Sequence, residues 1–213
     1  MALVKDNIIQ GVGRLYTSAV GTAVPAYNTG GDSVVADFED DADWTDLGFT
    51  TDGVEVNYEP TYDDIMVDQQ FDAAKVSLSS ETLSFMTNMR EATLRNLAFA
   101  WGRNFDSTVA VNGNTQTFSI GVGPKVACEY QLAVVGMPAP GSVENCEPGG
   151  DSTVVERIYV AYRVISVQGS NHSLQRDNPT SFPVTFRCLP YNLATAGQEY
   201  GKIDDYNVTA ATV

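Results

Sequence analysis

A single histidine, three cysteines and an acid-rich stretch are the residues of this chain whose types could do chemistry, and each can be tested by its spacing. His172 stands in Gly169-Ser170-Asn171-His172-Ser173, with no nearby carboxylate to orient it, so an exposed loop histidine is expected rather than the base of a Ser-His-Asp machine. Cys128, Cys146 and Cys188 have no metal-ligand spacing, and an odd number cannot pair completely within one chain. Reduced thiols fit assembly in a cytoplasm. The run Asp37-Phe38-Glu39-Asp40-Asp41-Ala42-Asp43 invites a calcium loop, but a loop beginning at Asp41 would place Asp46 where the turn requires glycine. A solvated acidic loop is expected there. Gly11-Val12-Gly13 opens like a dinucleotide fingerprint, yet Tyr16 takes the place of the third glycine and no βαβ pattern surrounds it. Carboxylate pairs for glycoside hydrolysis could be drawn from many acids, which makes any one pair unspecific. These residues point to no catalytic site, no cofactor and no metal.

The elements that would position such residues are mostly strands. Val54, Val56 and Tyr58 alternate with Glu55, Asn57 and Glu59. Val126, Cys128, Tyr130, Leu132 and Val134 do so with polar or small neighbours, as do Ile158, Val160, Tyr162 and Val164. Val184, Phe186 and Cys188 alternate with Thr185 and Arg187, and Asn112-Gly113 predicts a hairpin turn. Between Val76 and Thr87 the apolar parity flips around Ser79-Ser80, which requires a bulge or turn. One helix is predicted over 90–101, because Leu94, Leu97, Ala98 and Trp101 recur at helical spacing, Asn88 and Glu91 have capping-box spacing, and Gly102 can end it. The stretches 26–44 and 137–152 are expected to be long loops, and 194–213 a C-terminal arm that orders against neighbours. From 58 to 72, Tyr58, Tyr62, Ile65, Met66, Val67 and Phe71 lack a clear strand period among Pro60, Asp63, Asp64 and Gln69, so a loop with apolar residues is expected. The fold class is mainly β: a sandwich or barrel with one flanking α-helix, long loops and terminal arms, in a single domain over 1–213 whose residues 1–25 hold an N-terminal arm and first strand.

Charge is unevenly placed. Between Arg14 and Lys75 there are fourteen Asp and Glu and no Lys or Arg, whereas the other thirteen acids face all twelve basic residues, against a total of −15. Tight nucleic-acid binding by counterion release is disfavoured, since no basic patch is present. No apolar run approaches the roughly 20 residues of a membrane span. Met1 to Gln10 lacks the apolar core of a secretory signal, so synthesis without export is expected.

The order of several segments resembles the tail tube proteins of long-tailed, siphophage-type bacteriophages. Trp44-Thr45-Asp46-Leu47-Gly48-Phe49-Thr50-Thr51-Asp52-Gly53 is similar to that family's W-x-x-L-G-x-T-x-D-G opening, and Ile65-Met66-Val67-Asp68-Gln69 to its I-x-x-D-Q stretch. Glu91-Ala92-Thr93-Leu94-Arg95-Asn96-Leu97-Ala98-Phe99-Ala100 is similar to E-x-T-L-x-N-L-x-x-A, and Pro183-Val184-Thr185-Phe186 to a late P-V-x-F strand. The resemblance implies a virion protein assembled in the host bacterial cytoplasm. Six copies would close a ring, and rings would stack into a hollow tube joined to the tape measure protein, the tail terminator and baseplate or tail-tip proteins. DNA would pass through the lumen without specific binding and no membrane would be involved. It further implies that 58–72 contacts the next ring, and that some of Glu55, Glu59, Asp63, Asp64 and Asp68 face the lumen, where carboxylates repel phosphates. The tube could equally belong to a contractile tail or a secretion apparatus. Two other classes share the residue pattern: an immunoglobulin-like adhesion or virion decoration module, and a carbohydrate-active enzyme.

Overall fold

The computed structural model describes residues 13–26, 34–69, 71–103, 109–112, 115–118, 120–121, 127–136, 153–167, 172, 176 and 180–209. The N-terminal arm before Gly13, the expected loop at 137–152 with Cys146, and the last four residues lie outside them.

β-branched and aromatic residues at period two fold here as antiparallel strands. Along the chain come β1 (Gly13–Ser18), α1 (Val34–Asp40), β2 (Thr45–Asp46), β3 (Thr50–Ile65), β4 (Lys75–Met89), α2 (Leu94–Ala100), β5 (Val109–Asn112), β6 (Thr115–Phe118), β7 (Tyr130–Gly136), β8 (Thr153–Ser166), β9 (Phe182–Cys188) and β10 (Gly201–Thr209). One sheet runs β2-β1-β7-β8-β9-β4-β3, with β10 also paired to β8; β5 and β6 form a separate pair. β8 is the hub. It carries β7 on one edge, and on the other first β10, opposite residues 153–161, then β9, opposite 164–166.

The sheet curls around one apolar cluster. Leu15, Leu132, Val134, Val164, Val184 and Phe186 meet Phe85 and Met89 of β4 and Phe99 of α2, with Val54 of β3 packed against them. β3 thereby returns beside β1, where the missing side chain of Gly13 makes room: a Cβ there would lie 3.2 Å from Val54 Cγ2. The result is an incompletely closed barrel with α2 on its flank. A second cluster forms on the opposite face of β1, β7 and β8, where Tyr16, Ala133, Val135, Ile158 and Val160 are covered by Phe38 of α1 and by Trp44. Phe38 stacks on Tyr16 and meets Trp44 edge-on, each at 5.0 Å between centroids.

The mainly β fold agrees with the sequence expectation, and so do three details. The Ser79 bulge is present, since Thr61 faces Ser80 while Tyr62 faces Leu78. β9 alternates buried Val184, Phe186 and Cys188 with less buried Thr185 and Arg187. Asn112 pairs with Thr115, so the strands on either side of the expected turn are antiparallel partners.

Six expectations are corrected. There are two described helices rather than one, because α1 lies inside the supposed loop 26–44; at seven residues it is too short to announce itself by periodicity. The helix expected over 90–101 is confined to Leu94–Ala100. Its N-cap is Thr93, whose Oγ1 accepts from Asn96 N at 3.1 Å, not Asn88, which belongs to β4. β7 is buried on both faces, because α1 and Trp44 cover the side assigned to solvent. The C-terminal arm expected from 194 onward contains β10, which pairs with β8 of its own chain. Finally, 58–72 is not a loop: Tyr58 to Ile65 belong to β3.

Candidate functional site

β3 and β4 pair over 16 and 15 residues, but β9 accompanies β4 only from Ser84 to Met89. Beyond Leu83 the pair leaves the barrel as a two-stranded ribbon ending in the tip at 66–74. Directly opposed residues of antiparallel strands share a face. One face of the ribbon therefore carries Val56 opposite Phe85, Tyr58 opposite Leu83, Tyr62 opposite Leu78 and Asp64 opposite Val76. Phe85 is buried in the barrel and Leu83 packs against the same cluster, so this apolar face is the core face continued into solvent. Tyr58, Tyr62, Val76 and Leu78 are each half exposed or more, and at the tip Met66 is 60% and Phe71 fully exposed. Ile65 and Val67 are exposed as well. This face was hidden from the sequence by Pro60 and Asp64, which interrupt the alternation of Tyr58 and Tyr62. Val76 and Leu78, missed as site candidates, become visible once the parity change at Ser79 is followed across the strand pair.

The opposite face is polar. Glu55, Asn57, Glu59, Thr61 and Asp63 of β3 lie across from Met86, Ser84, Thr82, Ser80 and Ser77 of β4. Of the five acids singled out in the sequence, the structure thus brings Glu55, Glu59 and Asp63 together, places Asp64 on the apolar face and leaves Asp68 exposed in the tip. Lys75, opposite Ile65, is the first basic residue after Arg14. Tyr58 Oη donates to Glu81 Oε2 at 2.9 Å, and that bond to a carboxylate pushes the phenol above its ordinary value.

The ribbon's root is held by residues of the resemblance motifs. Gly48 adopts φ +81°, and a Cβ there would overlap the Glu91 carboxyl group. Phe49 N donates to Glu91 Oε1 at 3.3 Å, and Gly48 N to Asp46 Oδ1 at 2.7 Å. Buried Asn96 donates from Nδ2 to Leu47 O at 2.8 Å and to Glu91 O at 3.0 Å, tying α2 to both chain segments that enter the ribbon. Arg90 N donates to Phe49 O at 2.7 Å and Arg90 Nε to Thr51 Oγ1, closing the root. Thr87 Oγ1 donates to Gly53 O at 2.8 Å inside the bulge where β3 gains two residues over β4.

The expected helix face is partly right. Ala98 is buried and Leu97 and Trp101 pack against the core, Trp101 also meeting Phe118 of β6 at 5.5 Å, while Leu94 is only half buried. Asn96, Phe99 and Ala100 are buried too, and were not singled out. Gly102, at φ +63°, ends the helix as expected. His172 is half buried against Phe182, 4.9 Å between ring centroids, rather than free in solvent. Within the acidic run, Glu39 and Asp46 pair with Arg14, Asp41 Oδ1 accepts from Asp43 N, and Phe38 anchors α1. Among the described residues no group of three or more His, Cys, Asp or Glu is arranged to hold a metal ion, and no helix is long and apolar enough to cross a membrane.

The chain is thus a curled antiparallel sheet that extends one amphipathic ribbon past its core. The family model of phage tail tube proteins matches residues 1–199, and the chain belongs to that family. No curated protein matches it. It is accordingly a structural subunit of the tail of a bacteriophage virion, and self-assembles into a tube together with other tail proteins.

Proposed function

We propose that six copies close a ring, that rings stack through the β3–β4 ribbon, and that the resulting tube conducts DNA past an acidic wall during ejection. The observation that carries this reading is the apolar face of the ribbon, which leaves the barrel as an extension of its core and stands exposed at Tyr58, Tyr62, Val76, Leu78, Met66 and Phe71. Contiguous apolar surface of this kind marks a contact site, and a second copy of the chain is the partner that tube formation supplies in excess. β3 is also the last strand of the sheet, with no partner beyond it among the described residues. A strand edge of that length invites pairing, and closing a ring by a repeated heterologous contact covers it while its acidic side chains discourage indiscriminate association.

Glu55, Glu59 and Asp63, together on the polar face, are the carboxylates assigned to the channel; Asp64 and Asp68 are placed nearer the ring-to-ring contact. A wall of carboxylates repels phosphates and leaves DNA mobile. The ends of the tube would meet the tail terminator and the baseplate or tail-tip proteins, with the tape measure protein inside. The chain acts by shape and charge and catalyses nothing. Negative-stain electron microscopy of concentrated purified protein tests this reading. Tubes or six-fold rings are expected, and persistent monomers at every salt concentration would overturn it.

A further inference from the structure

The ribbon loses its support at a definite place. β4 is paired on both edges only as far as Ser84, opposite Arg187, and from Leu83 outward β3 and β4 have only each other. A two-stranded ribbon is marginal in isolation and twists more freely than a wide sheet, so without a further contact its far end would sweep a wide arc.

Three contacts converge on this boundary. Tyr58 Oη donates to the Glu81 carboxylate, Tyr200 Oη donates to the Glu81 main-chain oxygen at 3.4 Å, and Leu83 and Tyr200 both pack against the barrel cluster. Tyr200 belongs to neither ribbon strand. It closes the connection from β9 to β10 and is tied to the barrel by its own backbone, since Tyr200 O accepts from Tyr162 N of β8 at 3.1 Å. The turn before it is pinned by Tyr191 N donating to Glu199 O at 2.8 Å. One residue therefore links β8, the strand that pairs with three others, to the first unsupported residues of the ribbon.

We propose that Tyr200, bonded to the main-chain oxygen of Glu81, is a positioning residue that fixes the direction in which the ribbon leaves the barrel and so sets the rise and twist between successive rings. This rests on the stacking role assigned to the ribbon above. A stacking element whose angle is set before assembly loses less conformational freedom on docking, which favours association without adding any contact at the interface.

Hydrogen exchange of the full-length chain, kept dilute enough to remain unassembled, reads the mount without reference to tubes. Tyr200→Ala is expected to speed exchange at the amides of 58–65 and 75–83 by about tenfold while leaving β7 and β9 protected as in the parent, because only the local opening of the ribbon is eased. Tyr200→Phe, which keeps the packed ring, should fall between the two. Tubes of Tyr200→Ala should show an altered or broadened twist in cryo-electron microscopy. Unchanged ribbon exchange in Tyr200→Ala overturns the proposal. If that variant also loosens the barrel, Tyr200→Phe decides, because it keeps the packed ring and removes only the hydroxyl that reaches the Glu81 main-chain oxygen: faster exchange confined to the ribbon supports the mount, and none overturns it. Normal tubes from a chain carrying Met66→Asp and Phe71→Asp would sink the stacking role alone. The exchange result separates that failure from failure of the mount.

Discussion

Gly48 is the residue on which the root of the ribbon turns, since its left-handed backbone brings Phe49 N to the Glu91 carboxylate and leaves no volume for a side chain. Gly48→Ala should cost about 1–2 kcal/mol for the left-handed conformation alone. Glu91 can swing aside to relieve the overlap, so adding Glu91→Ala should not restore stability; urea denaturation of the single and double variants checks this. Cys188 makes a different prediction, about pH. The thiol is buried, and desolvation pushes it up to about 12. A folded value above the unfolded one means that stability is intact below the unfolded value and is lost as pH rises from about 9 toward 12. Buried Tyr16, also pushed up by desolvation, adds a similar loss further into alkali. Stability measured by denaturation between pH 8 and 11 should therefore fall less steeply in Cys188→Val than in the parent, with the Tyr16 contribution common to both.

At the scale of elements, the ribbon can be altered without touching the core that folds the chain. Met66 and Phe71 are exposed at its tip, so Met66→Asp with Phe71→Asp should leave secondary structure and thermal unfolding of the monomer unchanged. Buried in a contact between rings, the same carboxylates would cost several kcal/mol, and the variant should form no tubes. Calorimetry and electron microscopy on one preparation measure both halves, and normal polymerisation would remove the stacking role. The ribbon also illustrates where legibility ended. Its first strand was readable up to Tyr58, because Val54, Val56 and Tyr58 alternate with Glu55, Asn57 and Glu59, and the bulge at Ser79 was readable from the parity change. Pro60 and Asp64 then broke the period on the β3 side, and only pairing with Leu83, Leu78 and Val76 reveals that the apolar face continues.

For the molecule as a whole, the dominant long-range quantity is charge, gathered into one stretch of sequence and displayed in part along one face of the ribbon. Replacing Glu55, Glu59 and Asp63 together by Lys should leave tubes able to assemble but slow DNA release, because several new phosphate contacts would favour retention. Raising salt should restore the rate, as each contact depends on counterion release. Ejection measured against ionic strength distinguishes this from a shape change, which salt would not reverse. Unchanged ejection would remove the electrostatic part of the proposed function.

Composition and alternation were enough to determine that the chain is strand-rich, that an amphipathic helix ends at Gly102, and that one segment concentrates the negative charge. These are local properties: period, turn chemistry and residue type act over a few neighbours. The order of the motifs was enough to suggest the family. Which residues those motifs serve was decided only by tertiary structure, because the segment around Gly48 is far in sequence from Glu91 and Asn96 and meets them only through α2 packing beside the ribbon root. The same holds for β7, whose second face is buried by α1, and for β10, which is strand because β8 offers it an edge. A solvent-like alternation cannot announce a cover that comes from another part of the chain. Tyr200 looked like part of an arm, and its contact with Glu81 exists only because the sheet curls far enough to bring both to the barrel's end.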